Sequence, residues 1–284
     1  MHCELSILER RIRERFVKAF ATYHLLEDGD HVLVGLSGGK DSLCLLEMLA
    51  RRAKIDHPRF QVEALHVRME NIAYETSTEY LEHFCQELNV PLHIRTTSFS
   101  STPTDDNSQF SARPEGALSP LELVRLPEQE SEATERTVNC QLKKKPACFL
   151  CSWNRRKVMF NLAQELGCNK IALGHHQDDL LTTTLMNLIY QGRFDTMPAL
   201  LKMRKMPLSI IRPLCMVEES DIIRYAELRG YEKQVKRCPY EHDTNRTEME
   251  KLFREIQQKN PDARHSMWNA LNRDNKLVED KLTT

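Results

Sequence analysis

Two groups of residues in this chain have types and spacings that do chemistry. One is Ser37-Gly38-Gly39-Lys40-Asp41-Ser42. The other is three cysteines, Cys148 and Cys151 in a C-x-x-C pair and Cys238 far along the chain. A glycine turn carrying hydroxyls, a lysine and an aspartate suits an anion. Backbone N–H groups come close where no Cβ intervenes, and a following helix N-terminus adds positive field. The C-x-x-C pair alone is open between a redox pair, half of a zinc site and part of an iron–sulfur site.

The glycine turn has elements on either side to hold it. Val32 to Leu36 is an apolar run that reads as a buried strand. Lys40 to Arg52 carries Leu43, Leu46 and Leu49 at helical spacing. Strand, turn, helix is a phosphate-cradling geometry. A Walker A loop is excluded, because Val34 and Asp41 stand where that pattern needs glycine and Ser or Thr.

The remaining elements predict an α/β fold. Phe60 to Met69, Val90 to Thr97, Asn169 to Gly174 and Leu208 to Arg212 read as further strands, and Thr76 to Leu88, Cys151 to Leu166 and Glu218 to Arg229 as helices. This alternation implies a doubly wound parallel sheet of about five strands. Ligands in such sheets lie outside the carboxyl ends of the strands. The glycine turn, His66 and the run Gly174-His175-His176-Gln177-Asp178-Asp179 all fall there, the last opening a helix to about Tyr190. Asp178 is also a candidate helix cap. Residues 1–27 form an amphipathic N-terminal helix. Residues 28–240 form the main domain, with 98–145 as a polar, acidic insertion. Residues 241–284 form a tail with two helices divided near Asn260-Pro261. The stretch Gly192 to Pro207 reads as a basic, methionine-rich loop.

Composition narrows the class. Of 284 residues, 40% are hydrophobic and 29% charged, which describes a globular chain without a membrane span of about 18 apolar residues. The formal net charge of -1 means that any nucleic-acid surface must be local. Nine cysteines, an odd number, and no signal-peptide core make the reducing cytosol the expected compartment. Cys44 and Cys85 sit in apolar helical patterns and are expected in the core. Two cysteines near a helix start and a remote third are able to hold three irons of a [4Fe–4S] cube, leaving the fourth iron open.

The hexapeptide resembles the PP-loop of the ATP pyrophosphatases, often described as HUP-like. Those enzymes cut ATP between its α- and β-phosphates and adenylate a substrate oxygen. The order SGGKDS, C-x-x-C, LGHHQDD and a single later cysteine is similar to that of the TtcA-like tRNA 2-thiolation enzymes. The resemblance runs from about Leu26 to Tyr240 and includes Ile211-Arg212-Pro213-Leu214. It implies that ATP and Mg²⁺ activate the C2 oxygen of an anticodon-loop cytidine in tRNA, and that sulfur held at a [4Fe–4S] cluster replaces it. Cys148, Cys151 and Cys238 match the cluster positions. Ser37, Gly38, Gly39, Lys40, Asp41 and Ser42 match the pyrophosphate turn, with Lys40 and Asp41 as charge-neutralising and Mg²⁺-facing groups. His66, Gly174, His175, Asp178 and Asp179 fall around the nucleotide. A sulfur donor such as a cysteine desulfurase, and a homodimer, are further expectations of the resemblance.

The chain departs from its relatives in places. Thr182 stands where they commonly carry a carboxylate, and Cys238 lies in a C-P-Y-E setting. The expected RNA surface comprises Lys143 to Lys145, Arg155, Arg156, Lys157, Arg193 and Lys202 to Lys205. A different reading keeps the ATP pyrophosphatase but places zinc at the cysteines, with Cys140 or His176 as a fourth ligand. A third makes the chain a nucleotide-sensing or RNA-binding module, against which intact Lys40 and Asp41 speak.

Overall fold

The structure is a computed structural model that describes residues 2–70, 72–74, 78–98, 147–204, 206–232, 235–237 and 245–280. Its first half runs α1 (His2–Tyr23), β1 (Asp30–Gly35), α2 (Lys40–Arg52), β2 (Phe60–Met69), β3 (Ala73–Tyr74), α3 (Glu79–Leu88) and β4 (Leu92–Thr97). Then come α4 (Ala147–Glu165), β5 (Lys170–Ala172), α5 (Gln177–Gln191), β6 (Leu200–Lys202), β7 (Ser209–Ile211) and α6 (Glu219–Arg229). The last elements are β8 (Lys236–Arg237), α7 (Asn245–Lys259), α8 (Ala263–Arg273) and β9 (Val278–Asp280). The expected insertion lies outside the described residues from 99 onward, as do Cys140, Lys143 to Lys145 and Lys205.

Seven strands form one sheet in the order β4-β2-β1-β5-β7-β6-β9. The five strands expected from the sequence lie side by side and are all parallel. Strand order reverses between β1 and β5, so the crevice of this doubly wound sheet opens there. The glycine turn follows β1 and the histidine–aspartate run follows β5, one on each side of the crevice.

Four short strands extend the expectation. β6 falls within the stretch read as a basic loop and pairs antiparallel with β7. β9, in the tail, pairs parallel with β6. β3 and β8 form a separate antiparallel pair, Ala73 opposite Arg237 and Tyr74 opposite Lys236. Segments of two or three residues are too short to show a period-2 pattern.

The strands sort their side chains by alternation. Val32, Val34 and Ala64 face the larger core, shared with α1, α2 and α6. Leu33, Leu65 and Val67 face the other side, where Phe160, Leu162 and Ala163 of α4 cover them. Cys44 and Cys85 are buried in the larger core, as expected, and burial pushes both thiols up. In α1, Leu8, Ile12 and Phe16 are buried. Its polar face is partly engaged within the chain: Arg11 pairs with Asp221, Arg15 with Glu218 and Glu9 with Arg51.

Among the described residues, one carboxylate is wholly buried. Glu47 of α2 is 0% exposed. Arg51 and Arg229 donate to Oε1, and the Tyr231 hydroxyl donates to Oε2. This carboxylate ties the helix behind the glycine turn to α6. Glu47→Ala leaves two arginines and a phenol without their acceptor. It is expected to lower unfolding free energy by about 3 kcal/mol, near the low end for a broken buried pair because the arginines reach solvent. Urea unfolding of the two proteins measures it.

Candidate active site

The turn after β1 braces itself. Gly38 has φ +84°, a left-handed conformation that favours glycine. Ser42 Oγ donates to the Gly39 carbonyl at 2.9 Å and accepts from the Ser37 amide at 3.2 Å. Ser37 Oγ lies 3.1 Å from Ser42 Oγ and accepts from the Gly39 amide at 3.3 Å. Gly39 caps α2, and no side chain makes a capping bond there. A Cβ on Gly39 would meet Ser37 Oγ at 3.5 Å, an ordinary contact. Neither conformation nor packing within the turn therefore demands that glycine.

Gly174 is a different case. A Cβ there would stand 3.1 Å from the Asp41 carbonyl carbon and 3.1 Å from the Ser42 amide nitrogen. Both neighbours are backbone, so the β5–α5 connection touches the turn only because residue 174 has no side chain. The contact makes the two motifs one site.

A cavity of about 210 Å³ lies beside that contact. The turn contributes Lys40 and Asp41, and α6 contributes Glu219. His176, which caps α5, joins Asp178, Asp179 and Thr182 of that helix on the wall. The wall is completed by Arg246 and Glu250 of α7. Lys40 Nζ lies 3.0 Å from Glu219 Oε1 and 3.2 Å from Asp41 Oδ1. Burial alone would lower the Lys40 pKa, but Asp41 and Glu219 outweigh it and raise it, so this amine is a cation at any physiological pH.

The two aspartates of α5 are fully engaged. Asp178 Oδ2 accepts from the Glu219 amide at 2.8 Å, and its Oδ1 accepts from Arg264 of α8. Asp179 Oδ2 accepts from the His176 amide at 2.9 Å, and its Oδ1 accepts from Arg246. The capping role considered for Asp178 on its own helix thus falls to Asp179, while Asp178 holds the start of α6. Burial would raise the Asp178 pKa. The hydrogen bonds from Arg264 and the Glu219 amide, with the Arg264 charge, hold it below the ordinary value.

Asp41 Oδ1 is buried and accepts no hydrogen bond. It is the one carboxylate oxygen of the site left in that state among the described residues. No three metal-ligating side chains among the described residues are grouped to hold an ion by themselves. A hard divalent cation here would draw most of its ligands from phosphate oxygens and water, as Mg²⁺ commonly does.

The histidines differ. Arg212 Nε donates to His175 Nδ1 at 3.3 Å. Burial and then the Arg212 charge push the His175 pKa down to about 4, so the ring is neutral with its proton on Nε2. His66 Nδ1 donates to the Leu36 carbonyl at 2.8 Å, which joins β2 to the residue before the turn. His66 is 2% exposed, and burial lowers its pKa. His176, the zinc-ligand alternative, lies among carboxylates, 3.5 Å from Asp179 and 3.8 Å from Asp41.

Cys148 and Cys151 both fall near the start of α4. Cys151 and Leu150 pack against Met69 and Ile72, just past β2. Cys238 lies outside the described residues. Arg237, which precedes it in sequence, pairs with Ala73, which follows Ile72.

Comparison with known proteins gives the family and the fold. The sequence matches the PP-loop domain family over residues 6–115 and 152–259. It is 31% identical over 267 residues to a tRNA-cytidine(32) 2-sulfurtransferase of Bordetella avium, covering 94% of this chain and 73% of that one. A Burkholderia multivorans protein of the same name is 33% identical over 270 residues, covering 93% and 69%. The chain belongs to this family of PP-loop sulfurtransferases. It is similar in fold to the U34-tRNA thiolase NcsA from Methanococcus maripaludis, solved with its [4Fe-4S] cluster, at TM-score 0.63 and 20% identity, covering 97% of this chain and 81% of that one.

In this PP-loop enzyme the sequence reading missed Arg246, Arg264, Glu219 and Glu250 as site residues. Glu219 carried a signal, being the first residue of a helix that follows a sheet strand. The arginines carried none, since they are two among 40 basic residues of the chain.

Two outcomes are expected. Gly174→Ala forces its methyl group onto the turn backbone. Because the neighbours are backbone and must shift by a few tenths of an ångström, it should weaken nucleotide binding in equilibrium dialysis while circular dichroism stays unchanged. Arg264→Ala should raise the Asp178 pKa, read by carboxyl-resolved NMR titration. The stabilisation from Asp178 is complete above the ordinary carboxylate pKa and is lost as pH falls through the depressed folded value. In the variant the folded pKa lies closer to the ordinary value, so this stabilisation is smaller and the pH window over which it is lost is narrower.

Proposed function

We propose that this protein is an ATP-dependent tRNA-cytidine 2-sulfurtransferase acting on cytidine 32, the position named for its relatives. The observation that carries the reading is convergence. The β3–β8 pair brings the segment before Cys238 beside the segment on which Cys151 packs. The PP-loop opens from the neighbouring strand at the same edge of the sheet.

The chemistry has two steps. The cytidine C2 oxygen attacks the α-phosphorus of ATP, a P–O bond to the β-phosphate breaks, and pyrophosphate leaves. Sulfide then attacks C2, the C2–O bond breaks, and AMP leaves with the oxygen. Sulfur enters at the sulfide level, so no oxidant is required; a cysteine desulfurase, which delivers sulfur as a persulfide, would serve as the source together with a two-electron thiol reductant that releases sulfide.

The residues supply binding and electrostatics. The bare Gly39 leaves the uncapped start of α2 open to a phosphate, whose oxygens accept from backbone N–H groups. Lys40 moves from Glu219 and Asp41 to the departing pyrophosphate and offsets its charge. Asp41 Oδ1, which accepts no hydrogen bond although it lies 3.2 Å from Lys40 Nζ, is the natural protein ligand for Mg²⁺ held on the phosphates, and that ion would withdraw charge from the leaving group. His66 keeps the end of β2 fixed against the PP-loop, and the backbone around Leu65 to Val67 is positioned for the adenine. Neutral His175 offers a hydrogen-bond donor rather than a base. Cys148, Cys151 and Cys238 would hold a [4Fe–4S] cluster, which when bound would supply the sulfur for the second step. Cys151, packed against the apolar Met69–Ile72 wall, is a soft donor suited to such a group.

Anaerobically purified protein is expected to be brown and to contain iron and sulfide. Cys148→Ser, Cys151→Ser and Cys238→Ser should each lower the iron content while ATP binding persists. Colourless protein loaded with zinc would overturn the cluster assignment. In a deletion strain, nucleoside analysis should show tRNA 2-thiocytidine lost and 2-thiouridine retained. Persistence of 2-thiocytidine would overturn the substrate assignment.

A further inference from the structure

The tail contributes a cation to the PP-loop pocket that the family motifs do not contain. Arg246 lies near the start of α7, well away in sequence from SGGKDS and GHHQDD, yet it lines the same cavity as Lys40. Two carboxylates hold it there. Asp179 Oδ1 accepts from Nη2, and Glu250 Oε1 accepts from Nε at 3.1 Å. One helical turn separates Arg246 from Glu250, so α7 carries its own clamp. The helix is anchored below by Met249 and Phe253 in the main core. Arg264 is the contrast. It is spread over Asp178, Gln177 and the Phe253 ring and does not line the cavity.

From this arrangement we propose that Arg246 is a phosphate-contacting residue. Held by Asp179, it would share the pyrophosphate end of bound ATP with Lys40. The inference rests on the reading of the pocket as an ATP site. A guanidinium held on two sides by carboxylates keeps its planar fork oriented, and an entering phosphate replaces one acceptor with another of higher charge. Asp179 then acts as a positioning residue, and the second aspartate of GHHQDD serves to present an arginine from the tail. The pocket's own acids make the second cation necessary. Lys40 alone faces Asp41 and Glu219 before any phosphate arrives.

The test is calorimetric titration of the full-length protein and of Arg246→Ala, Arg246→Lys, Asp179→Asn and Lys40→Ala with three probes: ATP, inorganic pyrophosphate and AMP. Arg246→Ala should weaken ATP and pyrophosphate by about ten- to hundredfold, the loss of one charge-assisted contact, and leave AMP unchanged. Arg246→Lys should recover part of that loss. Asp179→Asn should weaken pyrophosphate less than Arg246→Ala does. Thermal unfolding of each variant separates a binding loss from a folding loss. ATP bound equally by wild type and Arg246→Ala, with Lys40→Ala impaired, would overturn the role of Arg246 and leave the ATP site standing. An equal loss of all three probes in Arg246→Ala would also overturn it, because a general collapse of the pocket spares no ligand. Wild-type protein that binds none of the probes would sink the ATP reading itself, and this proposal with it.

Discussion

Everything at this site depends on one backbone contact. The β5–α5 connection rests on the PP-loop at Gly174, where a single added carbon would meet peptide atoms at 3.1 Å. Side chains adjust to crowding by changing rotamer, but peptide planes in a braced turn do not. The turn is braced by four hydrogen bonds among Ser37, Gly39 and Ser42. A larger residue at 174 must therefore displace one motif from the other. Because it is glycine, two strand ends that part at the sheet's switch point bring their following helices close enough to share a cavity.

Sharing a cavity creates an electrostatic problem. Five carboxylates line it, from Asp41, Asp178, Asp179, Glu219 and Glu250. Partly desolvated like charges repel strongly unless cations and amides intervene. The fold distributes those partners among distant parts of the chain: Lys40 on α2, the Glu219 amide at the start of α6, Arg246 on α7 and Arg264 on α8. Each pairing fixes an element as well as a charge. Asp178 anchors α6 and α8, while Asp179 anchors its own helix start and α7. The paired aspartates thereby connect the tail to the PP-loop, and the acidity of the cavity is what makes the tail part of it.

Legibility in the sequence follows from these distances along the chain. The five parallel strands were readable because each is flanked by its own helix and carries its own hydrophobic pattern, as Val32 to Leu36 and Phe60 to Met69 do. SGGKDS and GHHQDD were readable because their chemistry is contiguous. The expectation that both lie at the carboxyl ends of strands needed only the alternation of strands and helices, whereas the adjacency of those strands came with the fold. β6 and β9 were not readable, since Leu200-Leu201-Lys202 and Val278-Glu279-Asp280 are strands only because a neighbour offers them hydrogen bonds. Arg246 and Arg264 were not readable for a related reason. An arginine on an amphipathic tail helix looks the same whether it meets water or Asp179, and only the packing of α7 on α5 decides. Gly174 was assigned to the nucleotide from its place in a motif, and its contact with the turn could not be seen without the fold.

The placement of the two half-reactions has a physical logic of its own. β1 and β2 are neighbours in the sheet, and adjacent strands lie about 4.8 Å apart. The PP-loop leaves the end of β1, and the apolar wall that receives Cys151 follows the end of β2. In the proposed reaction the base carries its activating AMP at one strand end and needs sulfide at the next. Release of the adenylated base into water would expose it to hydrolysis, which restores the original oxygen and wastes the ATP. In that reaction adjacent strand ends would limit the competition, and β3–β8, only two residues long on each side, is the element that sets the chain just before Cys238 beside the segment that follows β2.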